Sequence, residues 1–215
     1  MATLRQKVFL VDDDPFVCAA VARVLSTANY DVVAFESAAE FMSVVSPDEP
    51  GCLLLDMAMP ELTGLQMQQA LVGSAAERAI VFLSGQYDIR SSVQAMKAGA
   101  VDFLTKPVER SRLVAAVSEA TRVDAEIRRE RATRCNVQAR LASLTRREQQ
   151  VFKLVVHGRL NKQIAADLGT GEKTVKVHRA RVMQKMRVRT VADLVMMAFI
   201  AGLAKQPRIR PPSPW

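Results

Sequence analysis

The sequence has few cysteines and histidines, and this scarcity excludes several kinds of site. Its three cysteines, Cys18, Cys52 and Cys135, are odd in number and show no CxxC spacing. Such a set predicts neither a disulfide framework nor a zinc site, and it fits a reducing cytoplasm. The two histidines, His157 and His178, are too few and too far apart in the chain to form a metal site.

Long apolar runs are also missing. The longest, Leu194 to Ala204, has 11 residues, whereas a helix needs about 20 to cross a bilayer. The first apolar run, Val8 to Val11, follows Arg5 and Lys7 and is too short for the core of a signal peptide. We therefore expect a soluble, cytoplasmic protein without a membrane partner.

Charge is distributed unevenly along the 215 residues. Residues 1–120 contain nine Lys and Arg against 15 Asp and Glu, a net charge of −6, and residues 121–215 contain 21 against seven, a net charge of +14. This asymmetry predicts two domains, of which only the second meets a polyanion, with nucleic acid as the favoured partner. A solvated basic surface and a polybasic membrane patch are the alternatives.

The acidic half alternates strand-like with helix-like segments. Aliphatic runs predict five strands: Val8–Val11, Val32–Phe35, Leu53–Asp56, Ala79–Ser84 and Val101–Leu104. Helix-period apolar spacing predicts helices between them: Pro15–Ala28, Ser37–Val45, Leu65–Val72 and Ile89–Ala98. Such alternation predicts an α/β, doubly wound, flavodoxin-like sheet of five parallel strands with helices on both faces. Gly99 is expected to cap the fourth helix and Pro107 to open the fifth.

Polar residues stand where these predicted strands end. They are Asp12, Asp13 and Asp14 after the first strand, Asp56 at the end of the third, Ser84 at the end of the fourth and Lys106 after the fifth. Because parallel strands end at one edge of the sheet, these side chains should converge. Carboxylates so close together repel each other and cannot all stay ionised without a cation. Mg²⁺ or Mn²⁺ suits such oxygen ligands. A carboxylate held between a metal and a lysine could attack phosphorus. Each residue alone could instead be a cap, a turn former or a surface charge.

The basic half begins with a long charged segment. Mixed-sign charges from Val108 to about Leu141 predict a solvated helix, which we interpret as the fifth helix continuing into a linker. A coiled-coil dimer stalk is the alternative, although no sustained heptad is present.

Four further helices are predicted after the linker. Thr145 and Glu148 have the spacing of a capping box, and Gly158 ends that first helix. The second helix is capped by Asn161 and is followed by a turn at Gly169. The third covers Lys173–Met186, with Gly171 or Glu172 at its start, and the fourth begins at Thr190. They predict an all-α, four-helix helix-turn-helix unit. The expected domains are 1–120, a linker 121–140, 141–204, and a Pro-rich disordered tail 205–215.

The first 120 residues resemble the receiver domain of two-component response regulators. The resemblance lies in Val11-Asp12-Asp13, Asp56, Pro60, Gly64, Ser84 and Lys106-Pro107, in that order. It implies that Asp56 is the phosphoacceptor and that Asp13, Asp56 and the backbone carbonyl of Ala58 bind Mg²⁺, with Asp12 acting through water. It also implies that Ser84 turns toward the phosphoryl group and Phe103 then moves inward. Phe103 also fits a simple core position.

Residues 141–204 resemble the four-helix DNA-binding domain of the LuxR, NarL and FixJ type. The matching motifs are Leu144-Thr145-Arg146-Arg147-Glu148, Asn161-Lys162-Gln163-Ile164-Ala165 and Thr174-Val175-Lys176-Val177-His178-Arg179. The resemblance implies that Lys176 and Val177 face bases in a major groove. It implies phosphate contacts for a second group, Lys162, Lys173, Thr174, His178 and Arg181. Ala180 stands where some relatives have a basic residue, so the base preference could differ.

Together the resemblances imply a transcriptional regulator. Its expected partners are a sensor histidine kinase, double-stranded promoter DNA, RNA polymerase and, after phosphorylation, a second copy of the chain. The candidate dimer interface is Ile89, Val93, Met96 and Val101. A phosphohydrolase with an aspartate nucleophile is one alternative, but it would need an acid or base where Ala58 stands. A sigma-factor-like subunit is another, and it would not need the acidic pocket.

Overall fold

The computed structural model describes residues 5–85 and 89–203. The strands are β1 Gln6–Val11, β2 Tyr30–Phe35, β3 Cys52–Asp56, β4 Ile80–Ser84 and β5 Asp102–Thr105. The helices in these ranges are α1 Pro15–Thr27, α2 Ala38–Val44, α3 Gly64–Leu71, α4 Ile89–Lys97, α5 Arg110–Ala142, α6 Arg146–Val156, α7 Asn161–Asp167, α8 Glu172–Met186 and α9 Val191–Ile200. The chain divides into two compact units, Met1–Arg129 and Glu130–Trp215. In the described part, no helix is both long and apolar enough to cross a membrane.

The first unit contains one parallel sheet with the strand order β2-β1-β3-β4-β5. The predicted doubly wound fold is therefore confirmed. The strand order reverses between β1 and β3, which is where ligands bind in open α/β sheets. Val11 pairs with Leu55 across these two strands, so the next residues, Asp12 and Asp56, come at the same level of the sheet edge.

Both faces of this sheet are covered, because side chains of the strands alternate between two cores. One core contains Leu10, Leu54 and Val81 with buried residues of α1 and α5. The other contains Phe9, Leu55 and Phe82 with buried residues of α2, α3 and α4. Burial on both faces explains why the central strands are continuous apolar runs.

One prediction about the fifth helix is wrong. Pro107 does not open α5, since the helix begins at Arg110 and the Leu113 N–H donates to the Glu109 carbonyl as its first intrahelical bond. The Lys106-Pro107 peptide is cis and belongs to the loop after β5. Gly99, in contrast, ends α4 with φ +92° as predicted.

The second unit contains the end of α5 and the helices α6 to α9. Its core joins Val137 and Leu144 to Val151, Ile164 and Val182, so the last turns of the long helix belong to this unit. The predicted capping box of Thr145 and Glu148 is confirmed.

The cap predicted for α7 is wrong. Asn161 is the first residue of the helix, and its Oδ1 accepts from Arg179 Nη1 at 2.9 Å. The Leu160 N–H is satisfied instead by Gln163 Oε1 at 2.9 Å. Gly169 makes the predicted turn with φ +60°, and Gly171 is the N-cap of α8. The predicted disordered tail, 205–215, lies outside the described residues, and the predicted domain limits stay predictions.

Candidate functional site

Three charged side chains meet at the edge where β1 and β3 end. Lys106 Nζ donates to Asp12 Oδ2 and to Asp56 Oδ1, each at 2.6 Å. The remaining oxygens accept backbone N–H groups, Asp12 Oδ1 from Asp14 at 3.1 Å and Asp56 Oδ2 from Ala58 at 2.7 Å. Asp12 is 1% exposed and Asp56 4% exposed. The predicted convergence of these two carboxylates with Lys106 is thus present in the structure.

The surroundings of this cluster shift the pKa values of two of its members. Burial raises the pKa of Asp12, and the hydrogen bond and charge of Lys106 oppose that shift. Burial lowers the pKa of Lys106, but its hydrogen bonds to Asp12 and Asp56 and their negative charges outweigh burial, so the net shift is upward. Lys106 therefore keeps its proton at neutral pH and supplies a fixed positive charge.

The backbone packs tightly behind the aspartate of β3. A Cβ on Gly64 would lie 2.5 Å from the Asp56 carbonyl oxygen and 2.9 Å from Phe82 Cε1. Only glycine allows the start of α3 to approach this closely. Gly64 is one of the residues that carry the resemblance to receiver domains, but its role in this close packing was not predicted from the sequence.

The three consecutive aspartates after β1 have different environments. Asp12 lies in the cluster, Asp13 is exposed, and Asp14 is the N-cap of α1, where its side chain accepts from the N–H groups of Phe16 and Val17. The alternative role of a helix cap, given above for the polar residues at the strand ends, therefore applies to Asp14.

The chemistry of the cluster suits a hard divalent ion. Carboxylate oxygens are its preferred ligands, and one cation, the Lys106 ammonium, already contacts both Asp12 and Asp56. Across residues 5–85 and 89–203, however, no three His, Cys, Asp or Glu side chains form a group that could hold a metal ion. The donor types fit Mg²⁺, and the predicted ligand set stays a prediction.

The predicted switch residues lie on two neighbouring strands, β4 and β5. Ser84, at the end of β4, is 6% exposed, and its carbonyl accepts the Lys106 N–H at 2.7 Å. Phe103 on β5 is half-buried, and its ring centroid is 6.4 Å from that of Phe82. Phe103 therefore has both core contacts and a partly exposed surface.

The residues predicted for dimerisation are not equally accessible. Ile89, Val93 and Met96 on α4 are 72%, 45% and 45% exposed, and they follow one another at helical spacing. Val101, before β5, is half-buried and packs against the core of the α1 and α5 face. Three of the four candidates therefore form an apolar surface on one helix.

The residues predicted for DNA binding lie on α7 and α8. Those that are exposed are Lys162, Lys173, Thr174, Lys176, Val177 and Arg181, with Val177 at 50%. His178 is half-buried, and its Nδ1 is buried without a hydrogen-bond partner among the described residues. The bond from Arg179 to Asn161 ties α8 to α7. The exposed basic side chains give the positive surface that phosphates require.

Comparisons with known families agree with this division of the chain. Residues 8–118 match the family described as "Response regulator receiver domain", which is more than half of the chain. Residues 142–198 match "Bacterial regulatory proteins, luxR family". The chain belongs to the response regulators. It is a receiver joined to a LuxR-type DNA-binding domain, and response regulators with this pair of domains are transcriptional regulators rather than enzymes.

Several relatives of this response regulator match over most of their length. Nodulation protein W of Bradyrhizobium diazoefficiens is 41% identical over 94% of this chain and 89% of its own length. Transcriptional regulatory protein FixJ of Azorhizobium caulinodans is 39% identical over 92% of this chain and 93% of its own length. The solved structure of response regulator StyR is 41% identical with a TM-score of 0.75, over 91% of this chain and 99% of StyR. The solved structure of full-length FixJ from B. japonicum is 32% identical with a TM-score of 0.55, over 94% of this chain and 100% of that FixJ chain.

Proposed function

We propose that a sensor histidine kinase transfers a phosphoryl group to Asp56 and that this modification controls pairing of the protein on promoter DNA. The observation that supports it best is the contact of Lys106 with both Asp56 and Asp12. This arrangement holds a carboxylate next to a fixed positive charge at the edge of the sheet.

The transfer itself requires charge neutralisation more than covalent catalysis by the receiver. A carboxylate oxygen of Asp56 forms a bond to phosphorus while the bond from phosphorus to the histidine nitrogen of the kinase breaks, and that nitrogen keeps the electron pair. The Lys106 ammonium neutralises phosphoryl oxygens during this step. Mg²⁺ or Mn²⁺ would be held by Asp13, Asp56 and the Ala58 carbonyl, with Asp12 through water, and would neutralise the same oxygens.

The effect of phosphorylation at Asp56 would then reach the exposed apolar face of α4. Ser84 would turn toward the phosphoryl group, and the half-buried Phe103 would move into the space that Ser84 leaves. The exposed apolar side chains of Ile89, Val93 and Met96, with Val101 at their margin, would form the surface for pairing. An exposed apolar patch of this kind favours contact with a second copy of the chain.

Pairing would place two recognition helices on DNA. Two half-sites about one helical turn apart fit a two-fold dimer, and linked binding raises affinity above that of one small domain. In each copy, Lys176 and Val177 would face base edges, while Lys162, Lys173, Thr174, His178 and Arg181 would contact phosphates. The bound pair would act on RNA polymerase in the cytoplasm, where promoter DNA is found.

Sedimentation velocity in Mg²⁺, with and without beryllofluoride as a mimic of phosphoaspartate, tests this function. We expect a shift from monomer to dimer that Asp56→Asn abolishes. Glu61→Gln is the matched control, because it removes one carboxylate from an exposed position in the loop after β3 and should leave the shift intact. A shift that persists in Asp56→Asn would refute the proposal.

A further inference from the structure

Gln68 is a buried polar side chain that joins α3 to α4. It is 1% exposed, and its Nε2 donates to the backbone carbonyl of Ala95 at 3.1 Å. Its Oε1 is also buried, and it has no hydrogen-bond partner among the described residues. A buried polar atom without a partner is destabilising. The amide is therefore only half satisfied among the described residues.

The carbonyl that Gln68 contacts lies at the end of α4. The Ala95 carbonyl also accepts the Ala100 N–H at 3.1 Å, in the turn where Gly99 ends the helix. Both lone pairs of this oxygen are thus used, one by the helix terminus and one by Gln68. Gln68 connects the terminus of α4 directly to α3.

Little else buries α4 in the receiver. Of its nine residues only Ala95 is buried, and three apolar residues are exposed to solvent. Helices in proteins are held mainly by packing of an apolar face, so an element with so little burial opens easily. The Gln68 hydrogen bond is therefore one of the contacts that hold the C-terminal end of α4, where its only buried residue, Ala95, lies.

We propose that Gln68 is a positioning residue that holds α4 in the position described above and so sets how readily the α4 face becomes available for pairing. Displacement of α4 breaks the bond from Nε2 to the Ala95 carbonyl. It also releases Oε1 from a site without a donor, which lowers the cost of the change. The anchoring of α4 stands on the contacts above, and only its effect on pairing rests on the proposed function.

The size of the effect follows from one net hydrogen bond. Replacement of Gln68 also removes the unpaired Oε1, which favours the described position of α4, so the displaced position should gain less than one full hydrogen bond, about 3-fold in each copy. A dimer requires displacement in two copies, so the dimer dissociation constant should fall by roughly the square of that factor, about 10-fold.

Hydrogen exchange of the full-length protein without beryllofluoride tests the anchoring. Gln68→Met keeps a long, unbranched side chain but cannot donate, and Gln69→Met is the matched control at the next, exposed position. We expect exchange in residues 92–100 to become about 3-fold faster in Gln68→Met, with no change in β1 or β3. Gln68→Leu should give the same result, so that a packing defect of one replacement does not decide the outcome.

Unchanged exchange in both Gln68 variants, or equal acceleration in Gln69→Met, would overturn the proposal. Sedimentation velocity with beryllofluoride supplies the second readout, in which Gln68→Met should pair at lower protein concentration than the wild type. If the wild type fails to pair at all, the proposed function is wrong, and hydrogen exchange still decides whether Gln68 anchors α4.

Discussion

Replacement of Lys106 by methionine should destabilise the receiver strongly when divalent cations are absent. Met keeps most of the length of the side chain but removes the ammonium that contacts both Asp12 and Asp56 at 2.6 Å. Two carboxylates, with side chains 1% and 6% exposed, would then repel each other without a cation. Mg²⁺ should compensate, because it would bring positive charge to Asp56 directly and to Asp12 through water.

The magnitude follows from the burial of the partners. Removal of one partner from a buried ion pair costs about 3–5 kcal/mol, because the charge that remains is unpaired. Lys106 itself is 21% exposed, which allows solvent to screen the cluster in part. We therefore expect a loss near the lower limit, about 3 kcal/mol in the free energy of unfolding, and recovery of most of it at saturating Mg²⁺.

Urea unfolding of the full-length chain, read by hydrogen exchange in peptides from β1 and β3, measures this loss in the first unit separately from the second. Lys7→Met is the control, since Lys7 also donates to one carboxylate at 2.6 Å, that of Glu49, but both side chains are about a third exposed. It should cost about 1 kcal/mol or less. A loss in Lys106→Met as small as in the control would refute our account of the pocket, and failure of Mg²⁺ to restore stability would contradict the proposed metal site.

Three further outcomes are expected. Gly64→Ala should lower the free energy of unfolding of the first unit by about 1–3 kcal/mol in the same assay, because its Cβ meets backbone at 2.5 Å; an unchanged value would contradict this packing. The Lys185 hydrogen bond, followed by hydrogen bonds from Thr145, holds the pKa of Glu148 below its ordinary 4.5, so the stability that these contacts add is complete at neutral pH and is lost as pH falls below 4.5; Lys185→Met should reduce this pH dependence in thermal unfolding of the second unit. Lys176→Met should reduce the preference for specific over non-specific DNA by about 1–3 kcal/mol in competition binding, whereas an equal loss on all sequences would indicate a phosphate contact.

Strong local patterns in the sequence were sufficient to predict most of the fold. The apolar run from Leu53 to Asp56 is one residue shorter than β3, and the other strand predictions also lie within two residues of the observed limits. Buried parallel strands are recognisable because they are apolar on both faces. The convergence of Asp12, Asp56 and Lys106 was predictable for a similar reason, since the order of parallel strands fixes which ends are neighbours.

Features that depend on tertiary contacts were not predictable. Asn161 has the residue type of an N-cap, yet its side chain bonds to Arg179, which lies 18 residues further along the chain. Local preference does not reveal such competition between partners. Gln68 likewise resembles an ordinary polar residue of an exposed helix, and only the position of α4 shows that it is buried. Gly64 could have been suspected from its spacing after Asp56, but the close approach that requires it is a property of the packed structure.

The central claim, that Asp56 is the phosphoacceptor, is tested most directly by intact-mass spectrometry after incubation with Mg²⁺ and phosphoramidate, a small phosphoryl donor. We predict one added phosphoryl group that hydroxylamine removes, as expected for an acyl phosphate, and no addition to Asp56→Asn. A phosphoryl group on Asp56→Asn, or one that resists hydroxylamine and so indicates a serine or threonine ester, would contradict the account.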